Sequence, residues 1–155
     1  MSGQLEWDCG GWINLLSHKV KRRLDAQLAD LGITGMQSRV LYHIVKNSAK
    51  GSIFQRDVEA AFGLSRSTAT GILQMLEKEG LLVRCAVPDD GRLKQLVPTA
   101  KAQQMVAQVG AGVRETEARM TAGISPGQLQ VFLEVAAKMS ENLDACAPLG
   151  GRNCG

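Results

Sequence analysis

Aromatic residues are scarce in this chain, at 4% of 155 residues. The core must therefore be built from aliphatic side chains. No apolar run approaches the roughly 20 residues that a membrane-spanning helix requires, so no span is expected. The four cysteines, Cys9, Cys85, Cys146 and Cys154, form no CxxC pair and have no zinc-finger spacing. With only two histidines besides, the pattern supports no metal site or cofactor and is read as reduced thiols. The opening "MSGQLEWDCGGW" lacks both a basic region and an apolar stretch, so no signal peptide is expected and the location is read as cytoplasmic.

What is present is a globular composition, 45% hydrophobic, in a chain long enough for one compact domain. The net charge is +3, and all of the surplus lies in residues 1–50, with seven Lys/Arg against four Asp/Glu. That segment includes the run "HKVKRR", read as a solvated helix face. Residues 51–94 balance six against six, so anion binding there must come from placement rather than bulk charge.

Hydrophobic periodicity gives the element order. Trp12, Leu16, Val20, Leu24, Leu28 and Leu31 form a helical stripe over residues 11–31, closed by Gly32. Thr34 and Gln37 make a capping box for a second helix, running to about Val45. Ser52 and Gln55 repeat that pattern ahead of a short helix, "IFQRDVEAAF". Gly63-Leu64 reads as a tight break, and Ser65 as the cap of a helix with Ala69, Ile72, Leu73 and Leu76 inward, stopped by Gly80. The period then changes. "LLVRCAV" and "RLKQLV" flank "PDDG" and predict a hairpin. Thr99 opens a long helix to about Thr121, with Gly110 and Gly112 marking a bend or a close crossing. Ser125, Pro126 and Gln128 cap a last helix, before a frayed tail from residue 145.

Helix, glycine turn, helix and then a β-ribbon is the order of a winged helix-turn-helix. The fold class is accordingly mainly α with a small β-wing. The lobe spans about residues 34–98 and is flanked by helical residues 10–31 and 99–144 within a single domain. At the start of the second helix of the pair, backbone N–H groups point outward. Ser65, Ser67, Thr68 and Thr70 add short hydroxyls able to approach phosphates and base edges. Arg66 is a forked donor that suits guanine, and Gln74 lies two turns on from Ser67. At the hairpin tip, Arg92 suits a minor groove, Asp90 orients it, and Arg84 and Lys94 are phosphate contacts.

Three stretches, "TGMQSRVLYHI", "SIFQRDVEAAFGLSRSTATGILQMLEKEGLLVR" and "PDDGRLKQLVPTAKA", resemble the MarR family of bacterial winged-helix regulators. The resemblance runs over roughly residues 10–144. It implies a non-enzymatic homodimer on double-stranded DNA bearing an inverted-repeat operator. Recognition helices would lie in successive major grooves and wing arginines in minor grooves. Such regulators are mostly repressors released by a small ligand, here a phenolic or anionic aromatic one. The candidate pocket residues are Trp12, His18, Met36, Tyr42, His43, Met105 and Val109. Two alternatives stand beside this reading. One is a peroxide-sensing repressor using Cys9, although Gly35 falls where such members place a tyrosine. The other is a winged-helix protein-interaction scaffold. Two departures from the family pattern matter: Gly71 lies on the presumed DNA face, and Pro98 precedes Thr99, which predicts that the second wing strand ends one residue early.

Overall fold

The computed structural model describes residues 8–145. The expected tail, with Cys146 and Cys154, lies outside them. The described residues form α1 (Cys9–Asp30), α2 (Gly35–Ser48), α3 (Gln55–Phe62), α4 (Arg66–Lys78), β1 (Leu82–Val87), β2 (Asp90–Pro98), α5 (Ala100–Met120) and α6 (Pro126–Ala145). None of these helices is long and apolar enough to cross a membrane.

The chain divides into two compact units, Met1–Thr116 and Glu117–Gly155. In the first, an aliphatic core is drawn from α2, α3, α4 and the ribbon. Val40, Leu41 and Ile44 meet Val58, Leu73, Leu76, Leu82 and Leu96, all essentially inaccessible to solvent. Leu28 and Leu31 of α1 and Met105 and Val106 of α5 pack against it from outside. The second unit holds the end of α5 and α6. Helix α6 begins at the expected box, with Ser125 N donating to Gln128 Oε1 and Gln128 N donating to Ser125 Oγ. It buries no residue.

Local chemistry explains most boundaries. Thr34 and Gln37 cap α2 reciprocally. Gly32, Gly63 and Gly80 close their helices at φ of 71°, 60° and 71°. At Thr99 two jobs meet: its hydroxyl donates to Gly80 O and accepts from Ala102 N, joining the end of α4 to the start of α5. Gly112 marks a close crossing, because a Cβ there would stand 2.7 Å from Gln27 Oε1 of α1.

Two expectations are corrected. The cap of α3 is not Ser52 with Gln55 but Phe54, whose N–H donates to Asp57 Oδ2 at 2.8 Å, and Gln55 is the first helical residue. The later frame wins because Ile53 O accepts from Leu96 N at 2.8 Å and Phe54 pairs with Gln95. Those contacts hold residues 53–54 extended along β2. The second correction concerns Pro98, which remains paired with Leu82 as the last residue of β2. Thr99 N donates to Leu81 O, so the adjoining Leu82–Pro98 pair is one whose N–H groups point away from the partner strand, and the missing donor costs nothing there.

Candidate nucleic-acid interface

The turn between α3 and α4 is set by Gly63, whose left-handed backbone returns Leu64 N to Glu59 O. Two residues later Ser65 caps α4. Its Oγ accepts from Thr68 N at 3.2 Å and donates to Thr68 Oγ1 at 2.8 Å, with the Ser67 hydroxyl 3.2 Å away. Ala69, Leu73 and Leu76 bury one face of α4. Ser65, Arg66, Ser67, Thr68, Gly71 and Gln74 are left exposed, so the hydroxyl row and the first-turn amides stand at the surface.

Thr70 is different. Its hydroxyl donates to Arg66 O at 2.8 Å and accepts from Gln55 Nε2 at 2.9 Å. Gln55 Nε2 also lies 3.3 Å from Arg66 O and 3.1 Å from Glu59 Oε1. The hydroxyl of Thr70 is thus committed within the protein, where it ties the start of α3 to the first two turns of α4. Gln55 is the partner that sequence reasoning missed. The signal was its place at the first turn of α3, which the misassigned cap concealed.

In the ribbon, the turn is Pro88-Asp89, and the register shifts between Ala86, opposite Lys94, and Val87, opposite Asp90. Arg92 lies in the resulting bulge and is exposed. Asp90 orients it through the backbone, since Asp90 Oδ1 accepts from Arg92 N at 3.0 Å. Arg84 lies lower on β1, where its Nε is 3.3 Å from Glu77 Oε2 of α4. A cleft of about 290 Å³ brings together Arg66, Arg84, Arg92 and Lys94 with Arg56 of α3. Glu59 is the one carboxylate lining it. The charge neutrality of residues 51–94 therefore conceals a cation-rich surface at the junction of α3, α4 and the wing, answered in part by Glu59 and by Glu77 beside Arg84.

A second cavity, of about 760 Å³, opens between α2, the end of α3 and α5. Of the expected pocket residues, Tyr42, His43, Met105 and Val109 line it. Trp12, His18 and Met36 do not. Trp12 and Met36 are exposed on α1 and at the start of α2, and His18 lines a separate cleft along α1 with Lys19, Arg22 and Arg23. Sequence reasoning missed the cations of this cavity, Arg39, Lys46, Lys50 and Arg114. The wall is aromatic in part. His43 meets the Phe62 ring edge-on with centroids 5.4 Å apart, Arg39 lies over Phe62, and Lys46 lies over Tyr42. The run "HKVKRR" contributes an exposed ion pair between α1 and α5, Arg23 to Glu115 at 3.4 Å. Cys9 and Cys85 are free, exposed thiols.

The MarR family model matches residues 31–93. Among solved structures, a putative MarR family transcriptional regulator from Clostridium acetobutylicum is 27% identical, with a TM-score of 0.73 over 84% of this chain and 95% of that one. MepR, a transcription regulator of the Staphylococcus aureus multidrug efflux pump MepA, has the same fold at 20% identity, with a TM-score of 0.79 over 88% of this chain and 99% of its own. The MepR–DNA complex gives 22% identity and 0.73, over 84% and 96%.

Proposed function

We propose that the protein is a MarR-family, homodimeric, sequence-specific DNA-binding transcriptional regulator that represses until a small ligand releases it, a reading supported by the match of residues 31–93 to the MarR family model. The observation that carries this reading is the surface at the start of α4. Exposed hydroxyls and first-turn N–H groups stand beside five cations, gathered from α3, α4 and the wing. Ser65, Ser67, Thr68 and Arg66 enter a major groove with Gln74 behind them. Arg92 enters the neighbouring minor groove, and Arg84 and Lys94 meet phosphates. MepR has been crystallised on DNA, which supports the same partner here.

Reading an inverted repeat requires two copies with recognition helices about 34 Å apart. Apolar side chains for pairing are at hand in each unit: Trp12, Ile13 and Leu16 on α1 of the first and Val131, Phe132, Leu133 and Val135 on α6 of the second are exposed. Residues 10–31 and 99–144 are accordingly assigned to dimerisation and residues 34–98 to DNA.

The cavity walled by Tyr42, His43, Phe62, Met105 and Val109 and rimmed by Arg39, Lys46, Lys50 and Arg114 suits an aromatic anion. Such a ligand, bound where α2 and α5 meet the end of α3, would shift the recognition helices out of register.

Selection of bound duplexes from a random pool, followed by addition of phenolic and aromatic carboxylate ligands, tests the whole reading. An enriched inverted repeat, released by at least one ligand, is the expected outcome. A pool that enriches no salt-sensitive site would overturn the regulator assignment and leave an interaction scaffold.

A further inference from the structure

Helix α2 carries cations without a single acid. Its sequence, GMQSRVLYHIVKNS, holds Arg39 and Lys46 and neither Asp nor Glu, so no ion pair along the helix is open to them. Both line the cavity against α5, together with Lys50 and Arg114. Among the described residues no carboxylate lines it. Glu115, the acid next to Arg114, is turned to Arg23 of α1 at 3.4 Å. None of the four cations has an ion-pair partner among the described residues. Like charges gathered round one concavity repel one another until an anion enters.

The charges stand at two places rather than one. Arg39 and Lys46 are seven residues apart on one side of α2, which is about 10 Å of helix at 1.5 Å per residue. Each is tied to its own ring. The Arg39 guanidinium lies 5.7 Å from the centroid of Phe62, and the Lys46 ammonium 5.7 Å from that of Tyr42. His43 stands edge-on to Phe62 between them, and α5 supplies an apolar wall of Met105, Val106 and Val109. The cavity, at about 760 Å³, lies in the upper part of the range of small-molecule sites. A single-ring anion would answer one cation and leave the other end empty.

We propose that this cavity takes a rigid, elongated aromatic dianion, with one acidic group on Arg39 and the other on Lys46. The inference rests on the ligand-release reading and narrows it. The effector class is a two-headed aromatic acid, to which a phenol or a monocarboxylate is only half a ligand. The rings and the α5 wall select a flat core, and the two turns between the cations select its length.

The test needs neither DNA nor, in its first arm, a variant. Biphenyl-4,4′-dicarboxylate and biphenyl-4-carboxylate share their rings and differ by one terminal charge. Each is dialysed to equilibrium against the full-length protein at one ionic strength, and bound ligand is read from the absorbance of the rings. The dicarboxylate should bind on the order of tenfold more tightly, the worth of one further hydrogen bond between charged groups. Arg39→Gln and Lys46→Gln should each bring it down toward the monocarboxylate, which can use whichever end remains and should lose far less. Equal affinity of the two acids for the wild type, or binding of neither, would overturn the two-headed site. A dicarboxylate indifferent to both substitutions would do the same. The selected duplex is added last. If the dicarboxylate binds with this preference but never displaces the duplex, the site stands and it is the release reading that fails.

Discussion

Gln55 Nε2 and Thr70 Oγ1 lie 2.9 Å apart, joining the first turn of α3 to the second turn of α4. The same amide reaches Arg66 O, so one side chain fixes how the N-terminal end of the recognition helix is presented. Thr70→Val keeps the shape and removes the hydroxyl. It should cost about 1 kcal/mol of folding stability, and it should weaken specific DNA binding several-fold more than non-specific binding. Chemical denaturation and fluorescence anisotropy on matched duplexes read the two effects. A Val variant with unchanged specificity would reduce the clamp to packing.

Arg92→Ala tests the wing. Each phosphate-neutralising cation contributes about 0.9 to the slope of log affinity against log salt, so a dimer losing two should show a slope flatter by roughly 1.8. A titration of anisotropy against salt gives the number directly. An unaltered slope with unaltered affinity would place Arg92 away from DNA.

Two glycines flanking the cap should respond oppositely to alanine. Gly63 sits at φ 60°, where a side chain is strained, so Gly63→Ala should destabilise by about 1 kcal/mol. Gly71 is an exposed residue in the middle of α4 with open space around its Cβ position, and Gly71→Ala should stabilise by up to about 1 kcal/mol. Thermal melts compare them. DNA affinity separates the roles at Gly71: a loss despite higher stability shows that bare backbone is needed close to the duplex.

Phe132 is 57% exposed on α6. Replacing it with Asp removes apolar surface and adds a charge, so sedimentation equilibrium should show a shift toward monomer, with operator affinity falling by at least tenfold. A dimer of unchanged strength would take α6 out of the interface.

Much of the fold was legible because its signals are local. Thr34 with Gln37, Ser65 with Thr68, and Ser125 with Gln128 are contacts across three residues, visible as spacing. The misreadings share one cause. "SIFQ" and "FQRD" are overlapping frames that can each begin a helix, and the choice between them is made by Leu96, far along the chain. The fate of Pro98 likewise depends on hydrogen-bond phase across the ribbon, which composition does not encode. The candidate site was legible in its residue types but not in its grouping. Arg66, Arg84, Arg92 and Lys94 were each singled out, whereas their convergence with Arg56 on one cleft needed the fold. In the cavity beside α2, Tyr42, His43, Met105 and Val109 were foreseen, and Arg39, Lys46, Lys50 and Arg114 were not, since their hydrophobic neighbours dominate the pattern.

The bond from Leu96 N to Ile53 O closes the chain into a ring that contains α3, the turn, α4 and both ribbon strands. That ring encloses the residues of the candidate DNA surface from Gln55 to Lys94. The Leu96 amide is therefore a natural reporter for hydrogen exchange: its protection should equal that of the buried amides of α4, and should rise with them, in step, when operator is added.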